Sequence, residues 1–83
     1  MKRKESEMKH LGVVLKQLLI EQEMSQTALA EESDVPRNTL NRKLNVGGFT
    51  YDELTRIADA LGMKLSTIIE RTEALAARKE QDQ

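Results

Sequence analysis

The sequence predicts an all-α protein, because apolar residues recur at helical spacing, capping signals divide them into five short runs, and strand-favouring residues are scarce. Phe49 and Tyr51 are the only aromatics and Pro36 is the only proline in 83 residues, so the core must be built from Leu, Ile, Val, Met and Ala. A chain of this length has room for one domain with one core.

Leu11, Val14, Leu15, Leu18 and Leu19 share one face of a helix expected over about residues 8–22. Ser25 is a capping residue for the next helix, at about residues 26–33, and Met24 before it can staple onto Leu29. Asp34 tolerates the left-handed conformation that ends a helix, and Pro36 presets φ for starting another. Leu40 and Leu44 are the only apolar residues between Pro36 and Asn45, which predicts a third helix with a narrow buried stripe and a broad polar surface. Asn45, Val46, Gly47 and Gly48 supply turn chemistry after it. Thr50 and Glu53 form a capping-box pattern with Phe49 and Leu54 as its staple, opening a fourth helix through Ile57, Ala58 and Leu61 that Gly62 can end. Leu65, Ile68, Ile69, Leu75 and Ala76 trace a fifth, and polarity rises from Arg78 to Gln83.

Composition excludes several kinds of chemistry. There is no cysteine, which removes disulfides, thiolate metal ligands and cysteine nucleophiles and fits a reducing compartment, with the cytoplasm as the default. The opening Met1-Lys2-Arg3-Lys4 resembles the start of a signal peptide, but Gly12, Lys16 and Gln17 interrupt the apolar stretch and no small-residue cleavage site follows. That stretch is also too short to cross a bilayer. His10 has no second ligand at metal spacing and reads as a surface residue. Glu31-Glu32 and Asp52-Glu53 are adjacent pairs that do not share a helix face, so paired-carboxylate catalysis is not expected. Met1 reads as the initiator, and Met8, Met24 and Met63 as packing residues. No nucleophile, metal cluster or phosphate loop is visible, and neither enzyme activity nor a cofactor is expected.

The net charge is −1, unlike the strong basic excess of proteins that coat nucleic acid indiscriminately. Its distribution is more informative. Residues 11–35 hold one lysine against five acids, whereas residues 36–50 hold Arg37, Arg42 and Lys43 and no acid. Lys2, Arg3, Lys4 and Lys9 form a second basic cluster, read as a solvated tail over residues 1–9.

Two short helices joined by a tight connection, the second with a thin apolar stripe, form a unit that can offer a helix to a DNA groove. With Leu40 at zero on a helical wheel, Leu44 lies about 40° round and the opposite face is led by Asn38 and Arg42, flanked by Thr39, Asn41 and Asn45. Arg can donate twice to guanine and Asn can pair with adenine in the major groove. Arg37 falls nearer the buried side, but its place in the first turn keeps it eligible. Lys43 lies on the flank, where a point charge suits phosphate. Ser25 and Gln26 open the preceding helix, whose free N–H groups and positive dipole end also suit phosphate.

The run Ser25-Gln26-Thr27-Ala28-Leu29-Ala30-Glu31, then Val35 and Leu40, and later Leu54 with Ile57-Ala58-Asp59-Ala60-Leu61-Gly62, resembles the Cro/lambda-repressor-like helix-turn-helix family. The resemblance spans about residues 11–70. It implies a five-helix lambda-repressor-like domain in which Gln26, Pro36, Arg37, Asn38, Asn41 and Arg42 contact bases. Ser25, Thr39, Lys43 and Asn45 are then the residues expected at phosphates. It also implies a homodimer on a palindromic operator, acting as a transcriptional repressor. Three positions depart from the family's pattern: Asp34 stands where Gly is usual, Lys43 where an apolar residue is typical, and Leu19 and Leu44 where many members carry an Arg–Glu pair. An apolar pair of similar volume can replace a buried ion pair.

The organisation expected is thus a basic tail over 1–9, the DNA-binding domain over 10–72, and a helical extension or tail over 73–83. Ile68, Ile69, Leu75 and Ala76 on the fifth helix are the expected dimer contacts. The alternative is an antitoxin-like or other protein-binding module whose DNA binding autoregulates its expression.

Overall fold

A computed structural model describes residues 2–81 of the chain, with side-chain surroundings for residues 10–78. It contains five helices: α1 (Lys2–Glu21), α2 (Gln26–Ser33), α3 (Arg37–Val46), α4 (Tyr51–Leu61) and α5 (Leu65–Gln81). No strand occurs among the described residues. The side chains of Lys2, Arg3, Lys4, Met8 and Lys9 lie outside the described set, but the backbone of residues 2–9 forms the first turns of α1, which starts earlier than periodicity indicates.

Local chemistry sets most of the boundaries. Ser25 Oγ accepts from Ala28 N at 3.0 Å and starts α2. Thr50 and Glu53 cap each other reciprocally, at 3.1 Å for Glu53 N to Thr50 Oγ1 and 2.9 Å for Thr50 N to Glu53 Oε1, satisfying two donors that the start of α4 would otherwise leave open. Asp34 (φ 60°) and Gly62 (φ 69°) end α2 and α4 in the left-handed region.

The end of α1 uses the same device with a less suitable residue. Glu23 has φ 54°, its N–H reaches Ile20 O at 3.1 Å and the N–H of Met24 reaches Leu19 O at 2.9 Å, which is a Schellman arrangement with glutamate where glycine is favoured. Nothing in the sequence pattern points to it. Glu23→Gly should relieve the left-handed penalty and stabilise the fold by about 0.5–1 kcal/mol. Urea denaturation checks this, and a lower midpoint would show that the Glu23 conformation costs nothing.

The helices pack around one core in which Leu15, Leu18, Leu29, Leu40, Ile57 and Ile68 are almost fully buried. Helix α1 packs against α5 and α3, α2 against α4 and α3, and α4 against α5. Glu21 meets Arg71 at 3.3 Å, while Val14 and Gln17 line one depression with Leu75 and Arg78, so α1 and α5 run antiparallel. Gln22 Nε2 donates to Leu61 O at 2.9 Å and satisfies a carbonyl at the end of α4. Leu19 and Leu44, which stand where the family often has an ion pair, are both buried in the common core.

At Gly12, α1 lies against the backbone of α3. A Cβ there would overlap the backbone carbonyl of Leu44, so α1 can lie this near only because residue 12 has no side chain.

Two expectations need correction at this level. Ile68 and Ala76 are buried within the chain, because the long antiparallel α1 covers their side of α5. Ile69 and Leu75 remain half-buried. His10 is half-buried rather than on the surface, with its Nδ1 covered and without a hydrogen-bond partner among the described residues.

Candidate nucleic-acid interface

Helix α3 is held to the core by Leu40 and Leu44, its only buried residues. Everything else follows from that two-point attachment. Asn38, Asn41, Arg42 and Asn45 are exposed, as are Pro36 and Arg37 at the amino end, and Thr39 is half-buried. Arg37, which the wheel places toward the core, is exposed, lining an open depression with Thr27 and Glu31 of α2. Neither Arg37 nor Arg42 forms an ion pair among the described residues, so both guanidiniums are available to an anionic or hydrogen-bonding partner.

The start of α2 joins this face. Asn41 Nδ2 donates to Gln26 Oε1 at 3.0 Å, which ties the first residue of α2 to the middle of α3 and leaves the Gln26 amide nitrogen to donate outward. Ser25 is exposed beside it and half-occupied as the cap of α2.

Lys43 does not join the face. Its Nζ lies 2.6 Å from Glu53 Oε1, and the two side chains are 13% and 18% exposed, so the position expected to meet phosphate is turned inward and neutralised. The wheel angle was correct; the carboxylate that meets Lys43 comes from α4, which the wheel does not contain. Glu53 thus serves both the capping box and the ion pair. The Lys43 ammonium, and then the Thr50 N–H, hold its carboxyl below the ordinary glutamate value of 4.5. Because the folded pKa is depressed, the resulting stability is fully present above the unfolded value and is lost as pH falls through the folded one. The stability gap between the parent and Glu53→Gln should therefore be constant near neutrality and narrow in acid. A gap that stayed constant down to the acid unfolding limit would contradict the linkage.

One cation that sequence reasoning left out belongs here. Lys16, on α1, donates from Nζ to Asn45 Oδ1 at 2.7 Å, and Asn45 Nδ2 in turn donates to Asn41 O at 2.9 Å. The available signal was that Lys16 is the single lysine of the otherwise acidic residues 11–35; its separation from Asn45 in sequence hid the rest. Hydrogen bonds therefore connect Lys16 on α1 to the Asn45 side chain, Asn45 to the backbone carbonyl of Asn41, and the Asn41 side chain to Gln26 on α2. Among the described residues no group of His, Asp and Glu could hold a metal ion, and no helix is long and apolar enough to cross a membrane.

Two short helices in tandem, the second displaying an acid-free polar face clear of its own core, define a DNA-binding helix-turn-helix domain of a kind that regulates transcription. Residues 14–74 match the Cro/C1-type HTH DNA-binding domain family, and the chain belongs to it. Comparison with curated proteins and with solved structures gives no significant match.

Proposed function

We propose that this protein is a sequence-specific double-stranded DNA-binding repressor, without enzymatic activity, that reads the major groove with α3. The carrying observation is the exposure of Arg37, Asn38, Asn41 and Arg42 on the side of α3 opposite the buried Leu40 and Leu44. Base reading is assigned to Gln26, Arg37, Asn38, Asn41 and Arg42, with Pro36 against the groove wall. Ser25, Thr39 and Asn45 are assigned to phosphates, with the open N–H groups of α2 beside them. Lys43 is withdrawn from that set because Glu53 holds it.

The family resemblance supports a homodimer on a palindromic operator, with half-sites about 34–36 Å apart. Ile69 and Leu75 are the members of the α5 stripe left for a second copy. A cytoplasmic protein concentrated on the nucleoid accords with this reading.

Selection of bound sites from random duplex DNA tests it. The parent should yield a palindromic consensus, and Arg42→Ala should lose about 1–3 kcal/mol of preference at one symmetric pair of positions while keeping the rest. No enrichment for the parent would end the proposal, and an unchanged consensus for Arg42→Ala would remove that residue from base reading.

A further inference from the structure

We propose that Lys16 of α1 is a phosphate-contacting residue, so that the DNA-binding surface extends beyond the two helices of the helix-turn-helix; this rests on the reading of α3 given above. In residues 11–35 five acids would repel a polyanion, yet the one cation among them is placed against the acid-free α3. Its Nζ sits 2.7 Å from Asn45 Oδ1 at the exposed margin of the face. An ammonium has three donors, so the bond to Asn45 fixes its position and leaves two donors for a phosphate oxygen. The margin of a recognition helix, rather than its centre, is where the sugar–phosphate backbone lies when the helix enters the groove. Lys43, the lysine of α3 itself, is removed from competition by Glu53. Lys16 makes no ion pair among the described residues. The Asn45–Asn41–Gln26 chain links the position of that phosphate to the side chains that read bases.

The test measures affinity for a random-sequence duplex across a salt series, because phosphate contacts are independent of sequence. Each phosphate neutralised contributes about 0.9 to the slope of log affinity against log salt. Lys16→Gln, which removes the charge but can still donate to Asn45, should flatten the slope by about 0.9 for each bound protomer, about 1.8 for the homodimer, so that the homodimer's deficit relative to the parent shrinks about twelvefold between 50 and 200 mM salt. Lys16→Arg should restore the slope. Lys64→Gln, the same charge change on the exposed α4–α5 connection, measures the general effect of losing one cation and should flatten the slope less. Circular dichroism melting confirms that each variant folds. Lower affinity at every salt concentration with an unchanged slope would mean that Lys16 merely tethers Asn45, and would overturn the proposal. A slope change no larger than that of Lys64→Gln would also overturn it. Absence of duplex binding by the parent would instead refute the DNA-binding reading beneath it.

Discussion

Gly12→Ala should destabilise this protein by about 2–3 kcal/mol and lower its melting midpoint by roughly 10–20 °C. Helix propensity alone predicts the opposite sign, since alanine is favoured over glycine inside a helix by about 1 kcal/mol. The steric term outweighs it. A Cβ on residue 12 would overlap the carbonyl oxygen of Leu44 and lie 3.0 Å from its carbonyl carbon and 3.5 Å from its Cα. These are backbone atoms of α3, so no rotamer change can move them aside, and α1 and α3 must separate. Separation opens the core around Leu15 and Leu40 and moves the whole DNA-facing helix. Thermal and urea denaturation check the expectation. A midpoint at or above the parent's would mean that the two helices do not need their close approach.

Leu40→Ala should cost still more, about 2–5 kcal/mol, as expected for truncating a fully buried leucine. Leu40 has no exposed surface, and apart from Leu44 it is the only buried side chain that anchors α3. Its loss leaves the recognition helix attached at one point, so DNA affinity should fall further than the unfolded fraction explains. Leu40→Met, which nearly conserves volume, should cost less than about 1.5 kcal/mol and keep binding. Denaturation and mobility-shift titration of both variants separate the two contributions. If Leu40→Ala were as mild as Leu40→Met, α3 would be held by something other than its apolar stripe.

Much of the fold was legible because its signals are local. The bounds of α2, the capping box at Thr50 and Glu53, and the left-handed ends at Asp34 and Gly62 each depend on a few neighbouring residues. The separation of Asn38 and Arg42 from Leu40 and Leu44 follows from helical periodicity. What escaped depends on contacts between distant segments. Lys43 sits correctly on the wheel but meets a carboxylate from another helix. Ile68 and Ala76 form a real apolar stripe, but α1, running antiparallel along α5, already covers it. Gly12 registers in the sequence only as a break in an apolar run, and its contact with Leu44 arises after both helices have docked.

The sequence by itself determined that this chain makes five helices, where most of them start and stop, and that the third turns polar residues outward. Only the tertiary structure decided which cations that surface contains: it turned Lys43 inward to Glu53 and brought Lys16 across from α1. The physical reason is that capping and periodicity act within about one helical turn. The partner of a charge, by contrast, is set by how closely whole helices approach, and for Lys16 on α1 and Asn45 on α3 that approach is permitted by Gly12, which has no side chain to meet the Leu44 carbonyl.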